Sequence, residues 1–110
     1  MFNWIFNLID WNRNLGGVRS SGWRNVQQQK IKEQPTCEAT GKKGTLLDPL
    51  QVHHVLPFHL YPTEELNPKN LIVLRRSLHF WMGHFGSWSS YNLKIREDAA
   101  ELLDKIKNRP

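Results

Sequence analysis

The chain has 110 residues, a formal net charge of +5 and a single cysteine. This length fits one domain with a small core, and one cysteine excludes an internal disulfide, which fits a reducing, cytoplasmic location. The positive charge suits a nucleic acid or an anionic membrane surface, but an ordinary basic protein surface explains it equally well.

Residues 1–19 are predicted to form an apolar helix followed by a basic linker. The apolar positions recur on one face of a helix, at Phe2, Ile5, Phe6 and Ile9. The segment is too short to span a bilayer, and it lacks the basic start of a signal peptide. It is expected to pack on the core or on a partner, with a membrane-surface anchor as the weaker alternative.

The middle of the chain predicts one helix and two strands. The helix begins near Ser20 or Ser21, with serine as N-cap, and stops before Pro35. A strand-like stretch follows, TLLDPLQVHHVLPF, and the best strand of the chain is LIVLR at residues 71–75. The polar residues between them, 59–70, contain two prolines and predict a loop.

Two further helices are predicted after the second strand. Ser77 is a plausible cap for a short helix, LHFWMGHFG, and Asn92 is a plausible cap for a helix within 93–110. The last helix is amphipathic, with apolar positions at Ile95, Ala99, Leu102, Leu103 and Ile106. The expected fold class is α+β, a two-stranded antiparallel hairpin with a helix across it, flanked by N- and C-terminal helices.

Histidines recur along these elements. His53 and His54 are neighbours in a strand, so they point to opposite faces and are expected to do different jobs. His79 and His84 stand at the two ends of the short helix. If that helix crosses the hairpin, His53 and His79 face each other over one metal ion, for which histidine is a common ligand.

These segments resemble the HNH endonuclease family, with its ββα-metal motif. The resemblance lies in LQVHHVLPF followed by ELNPKNLIVLRRSLHFWMGH. The flanking SGWRNVQQQKIKEQPTCEATG and GHFGSWSSYN are similar to segments of small stand-alone phage-type members. The resemblance implies one nuclease domain over 1–110, with the HNH core at 20–92 and one divalent metal ion, which could be Zn, Mn, Ni, Co or Mg.

The resemblance also implies a role for each matching residue. His53 and His79 match metal ligands, and His54 matches the general base. Asn70 matches the middle asparagine, which braces the loop between the strands and so helps to present His54. His84 looks like the further ligand of all-histidine members.

The implied activity is metal-dependent hydrolysis of DNA phosphodiester bonds, by nicking or by double-strand cleavage. An ordinary histidine, with a pKa of about 6.5, can accept a proton from water at pH 7, and the metal stabilises the charge added to the phosphate. Candidate phosphate contacts are Lys42, Lys43, Arg75 and Arg76, with a merely solvated surface as the alternative for each. Double-strand cutting implies a homodimer, and the likeness to phage products encoded near packaging genes implies a terminase partner.

Two features depart from the family. Residues five apart on an α-helix diverge by roughly 140°, so His79 and His84 would share a side only if Gly83 became left-handed and ended the helix. No Cys-x-x-Cys accompanies Cys37, so a structural zinc site is not expected and the fold should rest on a Trp-rich core. Cys37 is expected to be buried, and Trp81 and Trp88 are expected in the core rather than as base-stacking platforms.

Two other functions remain open at this level. One is a non-catalytic module with the same fold that binds DNA or metal without turnover. The other is an adaptor that acts through residues 1–12 on a membrane surface or a partner. His59 is expected to be structural and is given no role.

Overall fold

The structure, a computed structural model, describes residues 20–109. Its helices are α1 (Trp23–Glu33), α2 (Arg76–Leu78) and α3 (Ile95–Lys107), and its strands are β1 (Leu50–His54) and β2 (Leu71–Arg75). A π-helical segment, His79–Gly83, continues α2, and short 3-10 turns occupy Pro62–Glu64 and Pro68–Asn70. The chain is thus α+β, as predicted, while the predicted N-terminal helix and linker, 1–19, lie outside the described residues.

The two strands form an antiparallel pair whose register places His53 opposite Ile72 and His54 opposite Leu71. The predicted strand at 71–75 is confirmed, and its apolar, β-branched residues suit a position buried on both faces. The first strand is shorter than expected because residues 45–48 form a turn. In that turn, Thr45 and Asp48 exchange backbone hydrogen bonds of 3.1 and 3.2 Å.

The core lies on both faces of this hairpin. One apolar cluster joins the hairpin to α3 and to the turn after α1, through Cys37, Ala39, Ile72, Leu74, Ile95 and Ala99. The other joins it to α1, through Val52, Leu71 and Val73 with Trp23, Val26 and Ile31. Alternate residues of β2 therefore serve alternate clusters. The predicted burial of Cys37 and the amphipathic C-terminal helix are both confirmed.

The outer edge of β2 is closed by side chains and a turn. The Glu38 backbone N–H donates to the Val73 carbonyl (2.9 Å), and the Val73 N–H donates to Glu38 Oε2 (2.7 Å). The Arg96 guanidinium of α3 donates to the carbonyls of Lys69 and Leu71. No sequence signal had marked Glu38 or Arg96, because neither residue belongs to a recognisable edge-covering pattern.

The predicted serine caps are wrong. The N-cap of α1 is Gly22, which makes no side-chain capping bond, and α2 begins at Arg76, before Ser77. Ser77 instead donates from its backbone N–H and its hydroxyl to Asp48, both at 2.8 Å. Asn92 accepts from the Lys94 N–H (2.9 Å), so it stabilises the turn that leads into α3 rather than occupying the N-cap itself.

The tryptophans do not all enter the core. Trp81, which was predicted to be buried, is 65% exposed. Its ring lies against Phe80 and over Gly86, where an added Cβ would come within 2.6 Å of the indole. The wide turn of the π-helical segment places Trp81 on the outer side. Within the described range, no helix is long and apolar enough to cross a bilayer.

Candidate metal centre

Three histidines from two elements meet on one face of the hairpin. His53 comes from β1, His79 opens the π-helical segment, and His84 follows that segment. One ligand nitrogen from each lies within 4.8 Å of the others, and the ring centroids are 4.9, 4.9 and 5.0 Å apart. The three predicted ligands are therefore brought together, close enough to bind one metal ion.

The π-helical segment explains how His79 and His84 converge across five residues. In a π-turn the backbone hydrogen bond runs from residue i to i+5, so residues five apart stand on the same side. The predicted route through a left-handed Gly83 is wrong, because among described glycines only Gly41 and Gly86 have positive φ. A widened turn, rather than a helix stop, returns His84 to His79.

Gly83 has a different purpose in this structure. A Cβ at this position would lie 2.9 Å from His53 Cε1 and 3.0 Å from His53 Nδ1. The buried Gly83 backbone thus packs directly against the His53 imidazole. Only a residue without a side chain lets the π-helical segment approach β1 this closely.

Hydrogen bonds fix which nitrogens of His79 and His84 face the centre. His79 Nδ1 lies 2.9 Å from Gln51 Oε1, and His84 Nδ1 lies 2.7 Å from the Ser90 carbonyl. These oxygens accept, so each Nδ1 carries a proton and each neutral ring keeps its lone pair on Nε2. Such outer hydrogen bonds are the usual partners of metal-bound histidines.

The two Nε2 atoms of His79 and His84 are 3.2 Å apart. Two lone pairs at this distance repel each other unless a cation, a proton or a metal ion, lies between them. Two nitrogens bound to one tetrahedral zinc at 2.0–2.1 Å would be separated by about 3.3 Å. The observed separation therefore fits a metal centre without rearrangement of either ring.

His53 completes the set as a neutral, buried ring. It is 2% exposed, and neither of its ring nitrogens has a hydrogen-bond partner within residues 20–109. Burial, together with the charges of His84 and His54, holds its pKa well below the ordinary value of 6.5. An unpaired buried nitrogen costs about 1–3 kcal/mol, and a metal ion would supply the missing partner.

His54 lies on the opposite face of β1 in different surroundings. Its ring stacks on Trp23, with centroids 4.5 Å apart and planes 26° apart, and it is 7% exposed. Its Nε2 lies 2.9 Å from the Glu65 carbonyl, which can only accept, so Nε2 carries a proton. In the neutral ring Nδ1 is then the nitrogen that can take a proton.

Asn70 ties together the two ends of the loop that holds His54. Its Oδ1 accepts from the Leu56 N–H (2.7 Å), and its Nδ2 donates to the carbonyls of Leu56 (3.1 Å) and Glu64 (3.2 Å). Its own carbonyl accepts from the Val55 N–H at 2.8 Å. Because Glu65 belongs to this loop, Asn70 indirectly positions the carbonyl that orients His54.

The four candidate phosphate-binding residues differ in their surroundings. Arg75 forms an ion pair with Asp48 (3.1 Å), so its charge is already engaged inside the protein. Arg76, Lys42 and Lys43 are exposed. The Asp48 pKa is lowered overall, since burial raises it but the hydrogen bonds from Ser77 and the charges of Arg75 and Arg76 outweigh that effect.

Sequence reasoning missed three residues that orient the histidines. Gln51 had a usable signal, because it lies two positions before His53 and so shares its face of the strand. Ser90 and Glu65 act on His84 and His54 through backbone carbonyls, which every residue possesses. Their side chains therefore carried no information about this role.

No family model, curated protein or solved structure matches this chain. The site consists of a cluster of three imidazoles on one face of β1 and a single oriented imidazole on the other.

Proposed function

We propose that the chain is a metal-dependent endonuclease of the HNH type that hydrolyses phosphodiester bonds of double-stranded DNA. In this proposal β1, β2 and α2 with its π-helical continuation form a ββα-metal core. The observation that carries it is the placement of His53 in a cluster of nitrogen donors while its neighbour His54 lies on the other face, oriented by the Glu65 carbonyl. That pairing is what metal-assisted hydrolysis requires.

The donor set suits a borderline transition metal. Three neutral imidazoles from His53, His79 and His84 match Zn, Ni, Co or Mn better than Mg, which prefers oxygen ligands. Three protein ligands leave a position for substrate, as in catalytic rather than structural zinc sites. When bound, the ion would supply a Lewis acid that stabilises negative charge on a phosphate oxygen and on the leaving oxygen.

His54 would act as the general base. Its Nδ1 takes a proton from the attacking water, and the bond from Nε2–H to the Glu65 carbonyl stabilises the imidazolium that results. β1 pairs with β2 on one edge only among the described strands. A phosphodiester lying over the other edge of β1 would meet an imidazole from each face.

The partners of this activity follow from charge and stoichiometry. The net charge of +5 and the exposed Arg76, Lys42 and Lys43 favour a polyanion such as DNA. One metal and one base make one nick, so a double-strand cut would need a homodimer. Association with a phage terminase in the bacterial host cytoplasm extends the same proposal.

The deciding experiment is incubation of supercoiled plasmid with the metal-stripped protein, reloaded in turn with Zn, Mn, Ni, Co or Mg. We expect nicked circles with at least one transition metal and none in chelator. The His54→Ala protein should retain DNA binding and lose about 10²–10⁴-fold in rate. Cleavage by His54→Ala at the wild-type rate would overturn the proposed role, and nicked circles with no linear product would count against the dimer.

A second candidate is a non-catalytic module that binds metal or DNA without cutting. The observation that favours it is the low exposure of His54, since a general base must meet water. This candidate predicts tight metal binding in the same reloading series with no nicked plasmid under any metal.

A further inference from the structure

An open cleft of about 530 Å³ lies beside the histidine cluster. We call it the aromatic cleft and define it by the side chains that give it its character, Leu47, Arg76, Phe80, Trp81 and Trp88. Phe80 and Trp81 belong to the π-helical segment that carries His79. The metal centre and the cleft are therefore built on the same short piece of backbone.

A single ring separates the cleft from the candidate metal centre. The Trp88 indole lies 5.2 Å from the His79 ring and 4.9 Å from the His84 ring, centroid to centroid. Its centroid also lies 4.9 Å from that of the Phe80 ring. A ligand in the cleft would thus lie next to any phosphate held at the histidines.

Large apolar side chains are exposed at the mouth of the cleft. Trp81 is 65% exposed, and the neighbouring tip residues Leu46 and Leu47 are 96% and 90% exposed. The tip is held in place, because Thr45 and Asp48 close its turn and Asp48 is bonded to Ser77 of α2. A fixed apolar projection beside an aromatic surface marks a binding site rather than a loose loop.

Charge indicates what the cleft binds. Arg76 lines it, and Lys42 and Lys43 precede the Leu46–Leu47 tip in the same connection. The acidic side chain of Asp48 also lines the cleft, and its charge is compensated by Arg75 and by hydrogen bonds from Ser77. Aromatic walls with cations at the rim match a flat base attached to a phosphate, whereas a purely apolar peptide would gain nothing from the cations.

We propose that the aromatic cleft binds a nucleobase displaced from the DNA stack beside the phosphodiester to be cut. The base would stack on Trp81, Arg76 would contact its phosphate, and the Leu46–Leu47 tip would fill the gap left in the helix, as apolar wedges do in DNA. The inference rests on the proposed nuclease function and names its preferred substrate. That substrate is DNA with an unpaired or easily unstacked nucleotide.

The test measures binding rather than cleavage, in the His54→Ala background with Zn²⁺ present. Fluorescence anisotropy compares a labelled duplex that has one unpaired nucleotide with the fully paired duplex. We expect roughly tenfold tighter binding of the first, the size of one base–aromatic stack. A 2-aminopurine at the unpaired position should lose fluorescence on binding, because it stacks on the indole.

Variants then assign the preference to the cleft. Trp81→Ala should remove both the preference and the 2-aminopurine quenching, and Trp81→Phe should keep most of each. Phe85→Asn is the matched control, because Phe85 is an exposed aromatic outside the cleft lining, and asparagine tolerates its left-handed backbone (φ 52°). It should leave both readouts unchanged.

Equal affinity for the two duplexes, or a preference that survives Trp81→Ala, would overturn the inference. A cleft that binds a protein instead of a base would give the first result, and a different site for the unpaired nucleotide would give the second. If the preference is seen but no metal supports plasmid cleavage, the cleft assignment stands and the nuclease proposal falls. If plasmid is cut while Trp81→Ala binds both duplexes like its parent, the nuclease proposal stands and this inference falls.

Discussion

The two faces of β1 treat neighbouring histidines in opposite ways. His53 enters a cluster of imidazoles, where neither ring nitrogen has a hydrogen-bond partner among the described residues and its pKa is lowered chiefly by burial. His54 stacks on Trp23 and donates one hydrogen bond to the Glu65 carbonyl. The difference teaches that the surroundings on each face, rather than the residue type, decide whether an imidazole joins a cluster of possible metal ligands or is oriented by a backbone carbonyl.

The largest expected effect is the difference in metal affinity between a variant that lacks His53 and a variant that lacks His54. His53→Ala should lose metal binding by more than the 10–100-fold that loss of an outer hydrogen bond costs, because it removes one of three ligands. His54→Ala should keep the wild-type affinity. Competition with a chromophoric Zn²⁺ chelator measures both, and circular dichroism checks that each variant is folded. Equal losses in the two variants would contradict the division between the faces.

On the His54 face, Asn70→Ala should destabilise the fold by about 3 kcal/mol. It removes three hydrogen bonds from a buried side chain and leaves the Leu56 and Glu64 backbone groups unsatisfied. Urea denaturation measures the free energy of unfolding. Asn67→Ala, which removes bonds at a less buried turn, is the control and should cost about 1 kcal/mol. Similar losses of unfolding free energy in the two variants would show that Asn70 stabilises the fold no more than Asn67 does.

On the His53 face, Gly83→Ala should cost about 1–3 kcal/mol by overpacking and should also weaken metal binding. The new methyl would lie 2.9 Å from His53 Cε1, so the buried His53 ring would have to move. Gly22→Ala is the control, because its methyl would meet only the flexible end of Leu66 at 3.2 Å. Thermal unfolding and the chelator competition measure the two effects. Unchanged metal affinity in Gly83→Ala would argue against His53 as a ligand.

The smallest effect is the pH dependence of stability in chelator. The pKa of His53 in the folded chain lies below 6.5. Below about pH 6.5 the unfolded chain therefore binds one more proton than the folded chain, and the free energy of unfolding decreases as the pH is lowered. The slope from one group is at most about 1.4 kcal/mol per pH unit. His53→Leu should flatten the curve of unfolding free energy between pH 7.5 and pH 5.5. A curve unchanged by His53→Leu would contradict the buried neutral state.

Local pattern was enough to predict the main elements. The apolar run LIVLR predicted a strand, and the alternation of β1 predicted that His53 and His54 lie on different sides. The convergence of His53 with His79 was predicted from the strand–helix order, on the condition that the helix crosses the hairpin. These features depend on the two-residue period of a strand and on chain connectivity, which are visible in any sequence.

The remaining features depend on tertiary contacts that no local pattern records. An α-helical period would place His79 and His84 on different sides of the helix. In the structure a π-turn brings them to the same side, and Gly83 packs closely on His53 within that turn. Trp81 looked like a core residue by composition, yet that same widened turn leaves it exposed. Ser77 does not cap α2 because its hydroxyl donates a hydrogen bond to Asp48, which is distant in sequence.

The closed edge of β2 limits how two copies of the chain can assemble. Glu38 occupies both the donor and the acceptor of Val73, so this strand offers no template on which a second chain could continue the sheet. A pair of subunits that cut opposite DNA strands would have to join through helices, loops or β1. The spacing of two staggered nicks would then report which of these surfaces forms the junction.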